Sequence, residues 1–288
     1  MTPATALRLG RVSNLPTVWT NAVAGIALAG ASPWHWATLP AALGLSLSYL
    51  GGMFLNDAFD RAIDARERPS RPIPSGAAEA NTVFALGFTL LLGGVAMLLA
   101  AACGFGVSPE WAVLAGLALG GAVTAYNWHH KGNPLSPLWM GACRVLAYVS
   151  AGLAAAAVLP APLLAAAAVS LCYLIGLTYI AKQETLGRIG NLWPLLFLAA
   201  PLAYGAWLAE GLTHWLVLLA LAAWIGVALA LLRRRRPGDI PRAVVSLIAG
   251  IALLDAMFLA LAGWPGAVPL ALGCFAATLA MQRWISGT

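Results

Sequence analysis

The chain has 288 residues, of which 61% are hydrophobic and only 9% charged, with a mean hydropathy of +0.84 and a formal net charge of +6. That composition excludes a soluble enzyme with a membrane tether and leaves an all-α polytopic membrane protein. The basic excess belongs to the loops between apolar segments, so it calls for no nucleic-acid partner.

In chain order, long uncharged runs predict spans at 14–31, 35–55, 82–103, 110–127, 138–159, 162–182, 191–210, 213–233, 242–262 and 266–284. Only Gly263, Trp264 and Pro265 part the last two, which read either as a hairpin or as a re-entrant element, giving nine or ten transmembrane helices. Ten spans of roughly twenty residues use most of the chain. Residues 1–288 therefore form a single domain.

Lys and Arg sit on alternate connections. Arg8 and Arg11 precede the first span, four arginines between 61 and 71 follow the second, and Lys131 follows the fourth. Arg188 follows the sixth, Arg233 to Arg236 the eighth, and Arg283 ends the tenth. The intervening connections near 32–35, 104–109, 160–161, 211–212 and 263–265 contain neither residue. This asymmetry predicts a multi-pass protein of the cell inner membrane, with both termini and the charged loops cytoplasmic. No small-residue cleavage site follows Arg8 and Arg11, so no removable signal peptide is expected.

Small residues are abundant, with thirty glycines and runs such as Ala154 to Ala157, and they permit close helix contacts. Cys103, Cys143, Cys172 and Cys274 are scattered without paired spacing and give no disulfide or zinc signal. Trp34, Trp36, Trp111 and Trp139 lie near span ends as interfacial anchors. Within the spans, Asn21, Arg144 and Asp255 are costly in lipid and must face protein or a cavity. Nothing in the sequence connects Arg144 with Asp255. His129 and His130 diverge on a helix and read as interfacial residues, not a metal pair.

The densest charge lies at the end of the second span. Residues 56–76 hold three of the five aspartates and four of the fourteen arginines. On a helix Asn56, Asp60 and Asp64 fall at i, i+4 and i+8, with Asp57 on the neighbouring part of the same face. Like charges at such spacing destabilise a helix unless positive charge sits among them. Oxygen ligands without nearby histidine or cysteine favour a hard divalent cation, magnesium or manganese, over zinc. Arg66, Arg68 and Arg71 carry forked donors that match phosphate oxygens, on a loop stiffened by Pro69, Pro72 and Pro74.

The run Asn56-Asp57-x-x-Asp60-x-x-x-Asp64, continued by Arg68-x-x-Arg71-Pro72-Ile73-Pro74-Ser75-Gly76, resembles the first aspartate-rich motif of the UbiA superfamily of intramembrane prenyltransferases. The likeness extends to Arg8-Leu9-Gly10-Arg11 and Asn21, and to Tyr126 with Lys131. It implies a helical bundle around a central cavity with a cytoplasmic cap. It also implies Mg2+-dependent transfer of an isoprenyl group from a prenyl diphosphate to a small-molecule acceptor in the membrane. Asn56, Asp57, Asp60 and Asp64 would hold the metal; Arg11, Asn21, Arg66, Arg68, Arg71 and Lys131 would bind substrate.

The second aspartate motif of that superfamily, expected after the sixth span, is missing. The corresponding run from Thr178 to Asn191 holds Lys182 and Glu184 and no aspartate. Three readings follow. Lys182 replaces the second metal as a fixed cation, with Glu184 and Tyr126 as further catalytic groups; the chain binds a prenyl lipid without ionising it; or Lys182 is an interfacial lysine. The run Tyr179-Ile180-Ala181-Lys182-Gln183-Glu184 is similar to the EboC-type branch, which implies a polar, hydroxylated cyclitol-like acceptor in place of a lipophilic aromatic one. A carrier or transporter of a phosphorylated isoprenoid lipid is the alternative function.

Overall fold

A computed structural model describes residues 1–182, 193–285 and 287. Among the described residues the regular structure is helical, without strands: α1 (Pro3–Leu9), α2 (Leu15–Leu28), α3 (Thr38–Glu67), α4 (Ala80–Phe105), α5 (Pro109–His129), α6 (Ser136–Leu153), α7 (Ala161–Lys182), α8 (Ala200–Leu208), α9 (Leu212–Arg234), α10 (Asp239–Leu261) and α11 (Val268–Met281). Among the described residues each of the ten apolar segments expected from the sequence holds an α-helix, α2 to α11 in turn, though α6 ends at Leu153 and α8 covers only Ala200–Leu208. Short 3-10 turns, Trp193–Ala199 and Pro265–Ala267, lead into α8 and α11.

Five helices, α3, α4, α7, α9 and α10, are long and apolar enough to cross a membrane. The most apolar window of α10 is 78% buried, whereas those of α4 and α9 are 28% buried each. A helix apolar on its exposed side has no use for water, so α4 and α9 present their leucines to lipid while α10 forms the interior.

Helix α2 joins the two halves of the bundle. It packs against α3, α6, α10 and α11, and every residue from Pro16 to Leu28 except Trp19 is buried. Val18, Ala22 and Ile26 enter a core with α3, α4, α5 and α6, while Val23, Ala24, Ala27 and Leu28 enter a second core with α7, α9 and α10. Gly25 permits this approach: a Cβ there would stand 2.8 Å from the Ala151 Cβ of α6.

The α3–α4 pair is joined by glycines seven residues apart on each helix. A Cβ on Gly51 would lie 2.7 Å from the Gly87 carbonyl oxygen, and one on Gly44 would lie 2.9 Å from that of Gly94. Backbone cannot yield as a flexible side chain can, so the seam tolerates no methyl group. Gly51→Ala is expected to destabilise the protein by about 1–3 kcal/mol through overpacking. Thermal unfolding in detergent measures this, with Gly226→Ala, where a Cβ meets nothing within 4 Å, as the neutral comparison.

Candidate functional site

The site begins with the length of α3. Its 30 residues span about 45 Å at 1.5 Å per residue, against roughly 30 Å of hydrocarbon. Its last turns therefore project from the apolar bundle, and the polar face from Asn56 to Asp64 lies there. These residues are nonetheless buried, at 8% exposure for Asn56, 6% for Asp57, 4% for Asp60 and 2% for Asp64. Three adjacent buried carboxylates require cations.

Three separate segments supply them. After α1, Arg11 adopts a left-handed conformation (φ 41°, ψ 49°) that is strained for a residue with a Cβ. The Tyr49 hydroxyl steadies it by donating to the Arg11 carbonyl at 3.2 Å. The Arg11 guanidinium then donates to Asn56 Oδ1 at 3.1 Å and Asp57 Oδ1 at 3.2 Å. Arg71 folds back from the α3–α4 loop, where its carbonyl accepts from the Ser75 N–H at 3.0 Å, and its Nη1 bridges Asp57 at 3.1 Å and Asp64 at 3.0 Å. Beyond α5, Lys131 Nζ lies 3.3 Å and His130 Nε2 3.4 Å from Asp60 Oδ2.

Below this charged layer is a cavity of about 130 Å³ among α2, α3, α5, α6 and α7. Its lining is chiefly aliphatic, with Asn21, Ser48, Tyr49, Tyr126, Asn127 and Arg144 as the polar groups. Asn127 connects the two levels, accepting from Asn56 Nδ2 at 3.1 Å and donating to the Gly52 carbonyl at 2.9 Å. Tyr126 stacks on His130 with ring centroids 4.9 Å apart.

The sequence-nominated residues separate into groups. Arg11, Asn56, Asp57, Asp64 and Arg71 form one contact cluster; Asp60 and Lys131 form another beside it. Tyr126 and Asn21 line the cavity. Lys182, at the end of α7, is exposed and donates to the Asn133 carbonyl at 2.6 Å, beside the Lys131 loop. Arg66 is exposed and Arg68 terminates α3 half-buried, and neither has a described ion pair with the aspartates. Glu184 lies outside the described residues. Asp255 and Arg144 take different partners: Asp255 accepts from Thr20 at 2.5 Å and from Tyr148, whereas Arg144 donates to Asn21 at 2.5 Å. His130, read from the sequence as an interfacial residue, instead stands against Asp60 because α5 packs beside α3, while Asn127 and Tyr49 were not singled out from sequence. The available signal was the run Tyr126-Asn127-x-x-His130-Lys131, polar on one helical face.

Among the described residues no three acidic, histidine or cysteine side chains converge as a metal cluster, because basic groups stand between the carboxylates. The donor set still suits a hard divalent cation. In each aspartate one oxygen accepts all the described ion-pair contacts, Oδ1 of Asp57 and Oδ2 of Asp60 and Asp64. A hard cation bound by one or two carboxylates together with substrate phosphate fits such an arrangement.

Comparison with known proteins identifies the family. Residues 16–248 match the family model described as the UbiA prenyltransferase family. The chain belongs to the UbiA prenyltransferase family. It is similar to the chloroplastic chlorophyll synthase of Avena sativa, 32% identical over 120 residues that cover 38% of this chain and 31% of that protein. It is also similar to the digeranylgeranylglyceryl phosphate synthase of Methanopyrus kandleri, 34% identical over 132 residues and 45% of each chain. The chain thus spans less than half the length of these curated relatives. A solved structure concerned with digeranylgeranylglyceryl phosphate synthase in membranes superposes with a TM-score of 0.63 at 18% identity, over 90% of this chain and 98% of that one. At that identity the likeness establishes the UbiA fold.

The ion pairs make an unequal prediction for neighbouring arginines. Arg71→Ala leaves Asp64 with no described cation and Asp57 with Arg11 alone, and is expected to cost on the order of 2 kcal/mol or more. Arg66→Ala removes an exposed side chain and should leave the melting temperature unchanged; differential scanning fluorimetry in detergent separates the two.

Proposed function

We propose that the protein transfers an isoprenyl group from a prenyl diphosphate to an acceptor within the membrane. The observation that carries this reading is the arrangement of the charged layer directly above an apolar cavity. Such a site takes a substrate with a doubly phosphorylated head and a hydrocarbon tail. A lipid phosphate alone would not need the cavity, and a hydrocarbon alone would not need the cations.

Arg11, Arg71 and Lys131 lie where they can exchange carboxylate oxygens for diphosphate oxygens, and Arg66, Arg68 and Lys182 stand at the entry as further cations. Asn56, Asp57, Asp60 and Asp64 would hold magnesium, which when bound would supply positive charge to offset the negative charge developing on the leaving diphosphate. The C1–O bond breaks with its electron pair departing on the diphosphate; the acceptor's nucleophilic atom bonds to C1 and releases a proton. Fixed guanidinium and ammonium donors stabilise the departing charge without reorganising. Leu119, Val123 and Met140 keep water from the allylic cation, and the Tyr126 ring offers a π face to it. Glu184 and Tyr126 are the candidates for receiving the acceptor proton.

The family membership and the excess of Lys and Arg on alternate connections support a bundle of nine to ten spans in the cell inner membrane, with both termini and the site on the cytoplasmic side. The EboC-like run from Tyr179 to Glu184 supports an acceptor with a polar, hydroxylated head.

Purified protein given radiolabelled geranylgeranyl diphosphate and membrane lipid extract is expected to release pyrophosphate and form a labelled lipid, both lost with EDTA and restored by Mg2+. Asp60→Ala should reduce the rate by about 10²-fold or more, the scale of one electrostatic group in the transition state. Undiminished release in folded Asp60→Ala refutes the site. Movement of intact diphosphate across vesicles without any product would instead identify a carrier.

A further inference from the structure

The cavity holds one cation that the charged layer does not account for. Arg144 lies eight residues into α6, about 12 Å along the helix at 1.5 Å per residue. It therefore sits well inside the bundle from the loop that carries Lys131. Its Nη1 donates to Asn21 Oδ1 at 2.5 Å, and no ion pair is described for it. Asp255, the carboxylate that the described residues place in the interior of the bundle, is already engaged on both oxygens by Thr20 and Tyr148.

Asn21 makes the same point independently. It is fully buried and lines the cavity, and its Nδ2 has no hydrogen-bond partner among the described residues. The orientation of the amide is fixed, since only its oxygen can accept from a guanidinium. A buried amide N–H group without a partner and a guanidinium without a carboxylate both demand an acceptor oxygen. A prenyl tail offers none, and the diphosphate has its own cations at the end of α3.

We propose that Arg144 and Asn21 anchor the head group of the acceptor, which therefore carries oxygens that accept from both, as a carboxylate or as vicinal hydroxyls. The proposal rests on the prenyl-transfer reading and narrows it, making Arg144 a specificity-determining residue in place of a diphosphate ligand. Its guanidinium fork matches two oxygens on adjacent atoms or on one carboxylate. An acceptor of equal size without them would leave Arg144 and Asn21 unsatisfied in the cavity, and burying unpaired donors is costly.

The test uses the full-length protein in nanodiscs, in wild-type, Arg144→Met and Arg144→Lys forms, with thermal unfolding to verify each fold. Affinity for farnesyl thiodiphosphate, a slowly reacting analogue, is measured first. Three acceptor probes follow at millimolar concentration: 4-hydroxybenzoate for the carboxylate, myo-inositol for vicinal hydroxyls, and p-cresol for neither. Thermal stabilisation and product formation are both read.

Wild type is expected to favour one of the oxygen-bearing probes over p-cresol by tenfold or more. Arg144→Met should abolish that preference with analogue affinity unchanged within about twofold, and Arg144→Lys should restore part of it. Whichever of the two probes is favoured identifies the head group as carboxylate or polyol. Equal response to all three probes, no response to any, or a preference that survives Arg144→Met overturns the proposal. So does a loss of analogue affinity as large as the loss of acceptor response, which would assign Arg144 to the diphosphate. Absence of saturable analogue binding by wild type, with acceptor stabilisation still dependent on Arg144, would refute prenyl transfer and leave the anchor standing.

Discussion

Three carboxylates held on one buried helix face at the edge of a bilayer govern the rest of this structure. Asp57, Asp60 and Asp64 repel one another, and α3 could not keep them 6% or less exposed without compensation. The compensation comes from segments that are remote in sequence: Arg11 before α2, Arg71 after α3, and the His130–Lys131 pair after α5. Each ion pair thus also ties a loop to the bundle, and the charged layer and the helix order at this end are one set of constraints. The strained backbone at Arg11 belongs to it, since the left-handed turn is what aims that guanidinium at Asn56 and Asp57.

The same pairs give the site its chemistry. A carboxylate layer saturated by buried aliphatic packing would be inert, whereas one offset by guanidinium and ammonium groups holds both signs of charge at hand. Phosphate oxygens can compete for the bases while a divalent cation competes for the acids. Beneath, Asn127 bonds to Asn56 and lines the cavity, so one side chain joins the charged layer to the cavity wall.

The helices themselves were legible because lipid leaves little choice. Apolar runs with no other way to satisfy their backbone in a membrane must be helical, and every expected segment holds an α-helix among its described residues, five of them long and apolar enough to cross a membrane. The first aspartate motif was equally legible, since period-four spacing puts Asn56, Asp60 and Asp64 on one face whatever surrounds them. The basic residues were read less well. Arg66, Arg68 and Arg71 looked alike as neighbours in one loop, yet of the three Arg71 alone meets the aspartates among the described ion pairs, in a loop closed by the Arg71 N–H donating to the Arg68 carbonyl, Ser75 to Arg71 and Ala78 to Pro72. Asn127 was passed over and His130 was taken for an interfacial residue, as the significance of both depends on α5 lying beside α3.

The sequence by itself determined a polytopic helical protein, its family and the residues of its first acidic motif, because hydropathy and helical periodicity are local properties. Only the tertiary structure decided which cation meets which carboxylate, and that Arg144 takes Asn21 while Asp255 takes Thr20 and Tyr148. The Arg144 and Asp255 pairings join residues more than a hundred positions apart. They are set by which helices pack side by side, and spacing along a single chain carries no record of that.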